Sequence, residues 1–548
     1  SWHYSAWSAA ELCISYFEYC GTVLKLRRLQ TLWGTVRSAS VGCKGGEMKL
    51  IQNIRFFDET TGEIRKESKS CQGVREDSLT KQVESNVVGL YPEYLFQEIE
   101  GFGCALTETS CYLLSKMTEE DRKAALECWF GTKGADARFV RIHIDSCDYS
   151  LDEYQAVADP IRDPELETFS ISRDRKYIIP VVKEAIRLSG NSISVLLSPW
   201  SPPSQWKTPP EMQANDAAVY GGYVNEIDFS KPNRCFGGRL KPEYYGSWAK
   251  YLVKYIQAYL EEGIPVTMLS VQNEANAATN WDSCVWSGAQ EKDFLQNYLY
   301  PEMKAAGLSE KIGIYIWDHN KERMIEHIDA MMDETTMGMI QGFAYHWYSG
   351  DHFQALSLLH GKYPDKILMH SESCGLHIPG KTMAFDIPKD AMETIPEEMK
   401  AAMKRTPLQV DFQDAKDYAH DLIGDINNGM NRWIDWNIIV DRTGGPRHVP
   451  GGFAAPLVAE EDNSFTKTIS YHYICDIAKV VKPGARRMGL STCKKSVEAA
   501  AVKNPDGSVG VILLNQEKKK LPVALRIEGY LCQFELPEET LSTVLLTF

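Results

Sequence analysis

Between residues 99 and 440 the chain alternates, eight times over, between a short apolar run and a longer stretch with the spacing of an amphipathic helix. The runs are IEGFGCALTE (99–108), ARFVRIHID (137–145), ISVLLSPW (193–200), VTMLSVQNE (266–274), KIGIYIWD (311–318), IQGFAYHWY (340–348), KILMHSE (366–372) and RWIDWNIIV (432–440). Runs this short and this apolar suit strands buried on both faces of a parallel sheet. The intervening stretches, among them TEEDRKAALECWF, DRKYIIPVVKEAIRL, YYGSWAKYLVKYIQAYLEE and QDAKDYAHDLIGDINN, start acidic and repeat apolar residues at three and four. Parallel neighbours need a crossover between them, so eight repeats read as an α/β fold, a (β/α)8 TIM barrel over 98–480.

The 548 residues exceed such a barrel, which takes about 250 to over 400, and leave material for a side domain. Residues 48–97 alternate apolar positions (Leu50, Ile54, Phe56) with turn residues such as Thr61 and Gly62, a pattern of short strands that cannot fold alone. After Val481 the chain turns all-β, with VEAAAVKNPDGSVGVILLN giving two strands around Pro505, Asp506 and Gly507. Segments 48–97 and 481–548 are therefore expected to build one β-sandwich from the two ends. Residues 1–47 lack periodicity and methionine, and KGGEM (44–48) resembles a translated ribosome-binding site before a true start at Met48, so 1–47 is expected to be a non-native upstream extension. Two connections, 201–242 and 376–412, are too long for ordinary loops, and ETIPEEMKAAMK in the second suggests one amphipathic helix.

The net charge of −15 would repel nucleic acid and anionic membrane surfaces, so neither is expected as a partner. No run of 18 apolar residues occurs, neither residues 1–47 nor the stretch after Met48 has the pattern of a secretory signal, so none is expected, and the fourteen cysteines show no metal-ligand spacing. A cytoplasmic protein without metal or cofactor, acting on a small neutral molecule, is the expectation.

Two of the runs end alike. Glu274 follows the fourth and Glu372 closes the seventh, at the carboxyl ends where a barrel builds its chemistry. Alone, Glu274 reads as a cap on the next segment. Two carboxyls facing one another across a barrel mouth are what glycoside cleavage needs: one protonated to donate to the leaving oxygen, one ionised to attack the anomeric carbon. Retention of configuration calls for about 5 to 5.5 Å between them, inversion for about 6.5 to 9.5 Å, and the shorter range is expected. Glu274 must then be held protonated, by burial or by the charge of Glu372. Other strand ends carry Glu108, Asp145, Trp200, Asp318, His346, Tyr348, Trp436 and Asn437, a set suited to sugar hydroxyls and C–H faces. Singly, Trp436 reads as core, His346 as a satisfied histidine and Arg141 as half of a structural ion pair.

In GFGCALTE, RIHIDSCDYS, SPWSPPSQWKT, VQNEAN, WDSC, WDHN, AYHWY, SESCG, WIDWN and GGP the chain resembles glycoside hydrolase family 30, the family of lysosomal glucocerebrosidase and its bacterial relatives. The resemblance implies a retaining β-glycosidase of glucosylceramidase type, in the manner of a bacterial member, with Glu274 as acid/base and Glu372 as nucleophile. It further implies that Asn273 bonds the sugar 2-hydroxyl, that Glu108, Trp200 and Trp436 hold the sugar, and that Tyr348 steadies Glu372. Glu108 stands where the lysosomal enzyme carries aspartate, Ala275 replaces a proline, and the 376–412 insertion is longer than the family's. β-Glucosides are the expected substrates, with β-xylosidase, β-fucosidase and β-1,6-glucanase activity as alternatives. A catalytically idle, sugar-binding barrel is the alternative of another class. A serine hydrolase or zinc protease is disfavoured, since neither GxSxG nor HExxH occurs.

Overall fold

The computed structural model describes residues 48–75, 84–190, 192–210, 228–377, 400, 404–449 and 451–548. The expectation for 1–47 lies outside the described residues, as does nearly all of the helix expected in ETIPEEMKAAMK.

Eight parallel strands close into a barrel in chain order: Gly101–Ala105, Phe139–Ile144, Ser194–Pro199, Val266–Ser270, Gly313–Asn320, Gly342–His346, Ile367–Glu372 and Arg432–Asn437. The last pairs with the first, Arg432 opposite Gly101, so no edge is left open. Helices such as Glu119–Phe130, Ile178–Leu188 and Tyr245–Glu261 follow the strands and bury their apolar stripes against them. One helix starts earlier than the sequence reading placed it. Pro407–Asn427 opens with Thr406 and Gln409 in a reciprocal capping box, with proline in the first turn.

The period of two along each strand stacks the barrel interior in layers. Phe139, Leu196, Met268, Tyr315, Ala344, Met369 and Ile434 form one apolar layer. Two residues further along the same strands stand Arg141, Ser198, Ser270, His346, Ser371 and Trp436, so the layer toward the carboxyl face is polar. On the fifth strand the corresponding residue is Asp318, three beyond Tyr315, because the register with the sixth strand slips there: Ala344 lies opposite Trp317, and Tyr345 opposite His319. Trp317 and Asp318 both take positive φ, +76° and +47°. A second slip leaves Ser371 unmatched between the Tyr345–His370 and His346–Glu372 pairs. Bulges beside a site re-aim side chains, and these two turn Asp318 and Ser371 toward each other.

Strands from both ends of the chain share one ten-stranded sheet. Lys49–Phe57 pairs with Ile64–Gln72 and with Thr540–Thr547, and Val87–Ile99 pairs with Ala485–Thr492. Val497–Lys503 and Val509–Asn515 are the hairpin around Pro505, Asp506 and Gly507. Alternate residues Leu50, Val511, Leu513, Val544 and Leu546 face a core inside this sheet, while Ile512 and Leu514 on the opposite face join the core of the barrel. The last barrel strand is shorter than the run RWIDWNIIV: after Asn437 the chain enters a separate three-stranded sheet of Ile439–Asp441, Leu457–Ala459 and Phe465–Lys467.

Candidate active site

At the carboxyl ends of the strands a cavity of about 460 Å³ is lined by Glu274, Glu372, Asn273, Trp200, Tyr348 and Trp436, together with Asp148, Trp281, His319, Asn320 and Phe453. A second cavity, of about 410 Å³, opens elsewhere beside Glu100, Lys311 and Arg432 and lacks the paired glutamates.

Glu372 ends its strand, so its position follows from the barrel directly. Its Oε2 accepts from Arg141 Nη1 at 2.5 Å and its Oε1 from the Tyr348 hydroxyl at 2.9 Å. Glu274 lies four residues beyond the end of its strand at Ser270, in a turn where it takes φ of +50° and its N–H donates to the Asp318 carbonyl. A non-glycine residue held there stores backbone strain of order 1 to 3 kcal/mol, a feature that clusters at functional sites. His346 Nδ1 stands 3.3 Å from Glu274 Oε1 and 4.0 Å from Glu372 Oε1. One imidazole nitrogen thus bonds Glu274 and lies within ion-pair distance of Glu372, and the sum of the two distances, about 7 Å, is a ceiling on the separation of those oxygens that admits the about 5 to 5.5 Å of a retaining pair.

Below the glutamates lies a fully buried polar floor. Arg141 donates to Glu372, to Asn273 Oδ1 at 2.7 Å, to Asp318 Oδ2 at 2.8 Å and to Ser198 Oγ at 3.1 Å. Its guanidinium lies over the rings of Trp200 and Trp436, 4.8 and 5.5 Å from their centroids, and the two rings stack on each other at 5.1 Å. Asp318 accepts from Arg141, from His346 Nε2 at 3.1 Å, from Ser270 Oγ at 2.6 Å and from Ser371 Oγ at 2.5 Å. Burial alone would raise its carboxyl; Arg141 and His346 outweigh that and hold it well below the usual carboxylate range.

The proton is not where the sequence reading put it. Burial favours a neutral Glu274, but the imidazoles of His319 and His346 beside it outweigh burial and pull the carboxyl well below the ordinary range. Burial would likewise lower His346, yet the charge of Glu372 and the bonds to Asp318 and Glu274 push it up to about 9. The contact that lowers Glu274 also raises His346, 3.3 Å away, so the electrostatics of the cleft favour the proton on the imidazole side of the pair. The neighbouring charge of Glu372, expected to raise Glu274, raises the histidine instead.

Glu108, expected to hold the sugar, does not line the cavity. Its carboxylate accepts from Arg173 Nε at 2.5 Å and from the Leu151 N–H at 2.9 Å, buried in the first turn of the helix Glu108–Lys116. Asp148 takes a place in the cavity wall that no motif had assigned. Burial, with the charges of Glu372 and Glu274, pushes its carboxyl up to about 7 against the opposing pull of Arg447, 3.7 Å away. Asp148 and His319 stood within RIHIDSCDYS and WDHN, so the signal was in the motifs, without a role attached.

The glycosyl hydrolase family 30 TIM-barrel domain matches residues 99–481 and that family's β-sandwich domain matches residues 484–544. Over 434 residues the chain is 27% identical to "Putative glucosylceramidase 4" of Caenorhabditis elegans, covering 77% of this chain and 75% of that protein. It is 24% identical over 447 residues to the lysosomal acid glucosylceramidase of Mus musculus (80% and 78% covered), and 24% identical over 434 residues to an endo-1,6-β-D-glucanase of Trichoderma harzianum (76% and 78%). Among solved structures, SrfJ from Salmonella typhimurium superposes with a TM-score of 0.75 at 28% identity, covering 90% of this chain and 99% of that one. The barrel, the sandwich and the family models over most of the chain agree, and the protein belongs to glycosyl hydrolase family 30 and is a glycosidase.

Proposed function

We propose that this glycosidase retains configuration and acts on β-glucosides in the manner of a glucosylceramidase, with Glu372 as nucleophile and Glu274 as acid/base. The observation that carries the reading is the single imidazole of His346 in reach of both carboxylates inside one cavity. Arg141 and Tyr348 donate to the two oxygens of Glu372 and aim it, as attack on an anomeric carbon requires. In the first step a Glu372 oxygen bonds to that carbon while the bond to the leaving oxygen breaks. The leaving oxygen takes its proton from Glu274, which draws it across the 3.3 Å contact from His346. Esterification removes the charge of Glu372 that kept the proton on the histidine. In the second step Glu274 accepts a proton from water, whose oxygen displaces Glu372 and leaves the configuration as it began.

Asn273, fixed by Arg141 and lining the cavity, takes the role of bonding the sugar 2-hydroxyl. Trp200 and Trp436, stacked on each other, line the cavity and take the role of holding the sugar. Asp148 takes the role of holding an outer hydroxyl that had been expected of Glu108. A cavity of about 460 Å³ fits a ligand of modest size. A small glycoside met inside the cell is the proposed substrate. In support, no disulfide forms among the described cysteines, and no helix among the described residues is long and apolar enough to cross a membrane. Release of β-1,6-linked glucose is the second reading, favoured by the Trichoderma harzianum relative.

The test is a panel of aryl β-glucoside, xyloside, fucoside and galactoside beside glucosylceramide and a β-1,6-glucan, with the first-formed anomer followed by NMR. The expected result is fastest release from the aryl β-glucoside as the β-anomer. First appearance of the α-anomer overturns retention, and no release from any member returns the idle-barrel reading.

A further inference from the structure

Three ligating groups converge on one point of the cavity wall. Glu274 Oε1 lies 3.3 Å from His346 Nδ1 and 3.6 Å from His319 Nδ1, and one ligand atom from each residue lies within 4.8 Å of the other two. A tetrahedral zinc ion with bonds of about 2.0 to 2.1 Å spaces its ligand atoms about 3.3 Å apart, so two of the three edges need almost no adjustment. His319 Nδ1 is buried and makes no hydrogen bond. His346 Nε2 stands 3.1 Å from Asp318 Oδ1, which leaves Nδ1 as the atom that can ligate once the proton it shares with Glu274 is displaced. Zinc-bound histidines are oriented by a carboxylate in this same way. Because Glu274 and His319 line the cavity, a fourth position opens to solvent.

We propose that Glu274, His319 and His346 form an inhibitory site for a borderline-soft divalent cation, zinc being the best match, and that the ion excludes the glycoside. Binding displaces the proton shared by His346 and Glu274 to solvent and leaves water on the fourth position. Two imidazoles and a carboxylate select zinc over magnesium and calcium, which take six or more oxygen ligands. A second cluster, His370 with Asp421 and Asp425, has no such vacancy: the Lys321 ammonium lies 2.6 Å from Asp421 and 3.5 Å from Asp425. Exclusion of the glycoside rests on Glu274 as acid/base; binding of the ion does not.

The experiment is calorimetric titration of the full chain, carrying Cys493→Ser to remove an exposed thiol, with zinc chloride and separately with magnesium chloride. Expected is a zinc site weakened at least tenfold by His319→Gln, kept by Glu372→Gln, and silent to magnesium. In the active enzyme zinc should raise KM for an aryl glycoside without lowering kcat, and a chelator should reverse this. Zinc affinity unchanged by His319→Gln, or no binding by an enzyme of normal activity, overturns the site and leaves the glycosidase reading in place. Zinc bound at a His319-dependent site without any rise in KM overturns the competition, and with it the place of Glu274 in the reaction.

Discussion

Replacing Asp318 with asparagine keeps the shape of the floor and removes its charge. The carboxylate accepts from five donors, His346 and Ser371 on one oxygen, Arg141, Ser270 and Ser198 on the other, all within 3.1 Å except Ser198 at 3.5 Å. An asparagine can accept on one oxygen only. With that oxygen toward Arg141, its NH2 confronts the Nε2–H of His346, and the histidine must give up that proton or lose the bond; a serine hydroxyl simply turns. Loss of one bond to a charged group costs about 1.5 to 3 kcal/mol. Breaking a buried ion pair outright costs about 3 to 5 kcal/mol, and here Arg141 retains Glu372, so about 3 kcal/mol of stability is the expected loss. The same change frees the two groups that aim Glu372 and Glu274, and a comparable loss in the transition state lowers kcat/KM about a hundredfold. Urea unfolding and steady-state hydrolysis of an aryl β-glucoside read the two effects. An Asp318→Asn enzyme with an unchanged urea midpoint and kcat/KM within threefold of the parent would refute the shared floor.

Glu108→Gln should leave KM within threefold while lowering stability by about 1 to 3 kcal/mol, since the carboxylate bonds Arg173 and Leu151 rather than the cavity; a tenfold rise in KM with unchanged stability would restore Glu108 to the sugar. Asp148 titrates near 7 in the fold against about 4 unfolded, so the folded state binds its proton more tightly, and its stability is fully present at low pH and falls as pH rises from about 4 to about 7. Asp148→Asn cannot lose that proton, and relative to the parent it should gain about 4 kcal/mol between pH 4 and pH 8, read by urea unfolding at both. Glu274→Ala should hydrolyse an aryl glycoside with a good leaving group within about a hundredfold of the parent, while alkyl glycosides fall by a further factor of about ten or more. Equal losses on both substrates would remove proton donation from Glu274.

The barrel was legible because its signal is periodic. Each strand is a short apolar run between helix-patterned stretches, and the same period of two then places Arg141 above Phe139 and His346 above Ala344. The bulges were not legible. Nothing in KIGIYIWDHN announces that Trp317 and Asp318 take positive φ, yet that slip sends Asp318 to the floor and leaves His319 beside Glu274. Glu108 was misplaced for a similar reason: its partner Arg173 lies 65 residues away, and no local pattern ties the two together. The start of the helix at Pro407 was legible in principle, since Thr406 and Gln409 are a capping box in plain sequence. The state of Glu274 depends on His319 and His346, both brought to it from other strands, and one glutamate at a strand end cannot reveal which neighbour takes the proton.

The chemistry depends most directly on Glu372 forming a bond to the sugar. Incubating the protein with a 2-deoxy-2-fluoro-β-glucosyl fluoride, which slows the second step more than the first, and sequencing the labelled peptide by mass spectrometry tests this. The account predicts one fluoroglucosyl group per chain, on the peptide containing Glu372, and none in Glu372→Gln. A label on another residue, or steady turnover of the reagent with no label accumulating, would contradict it.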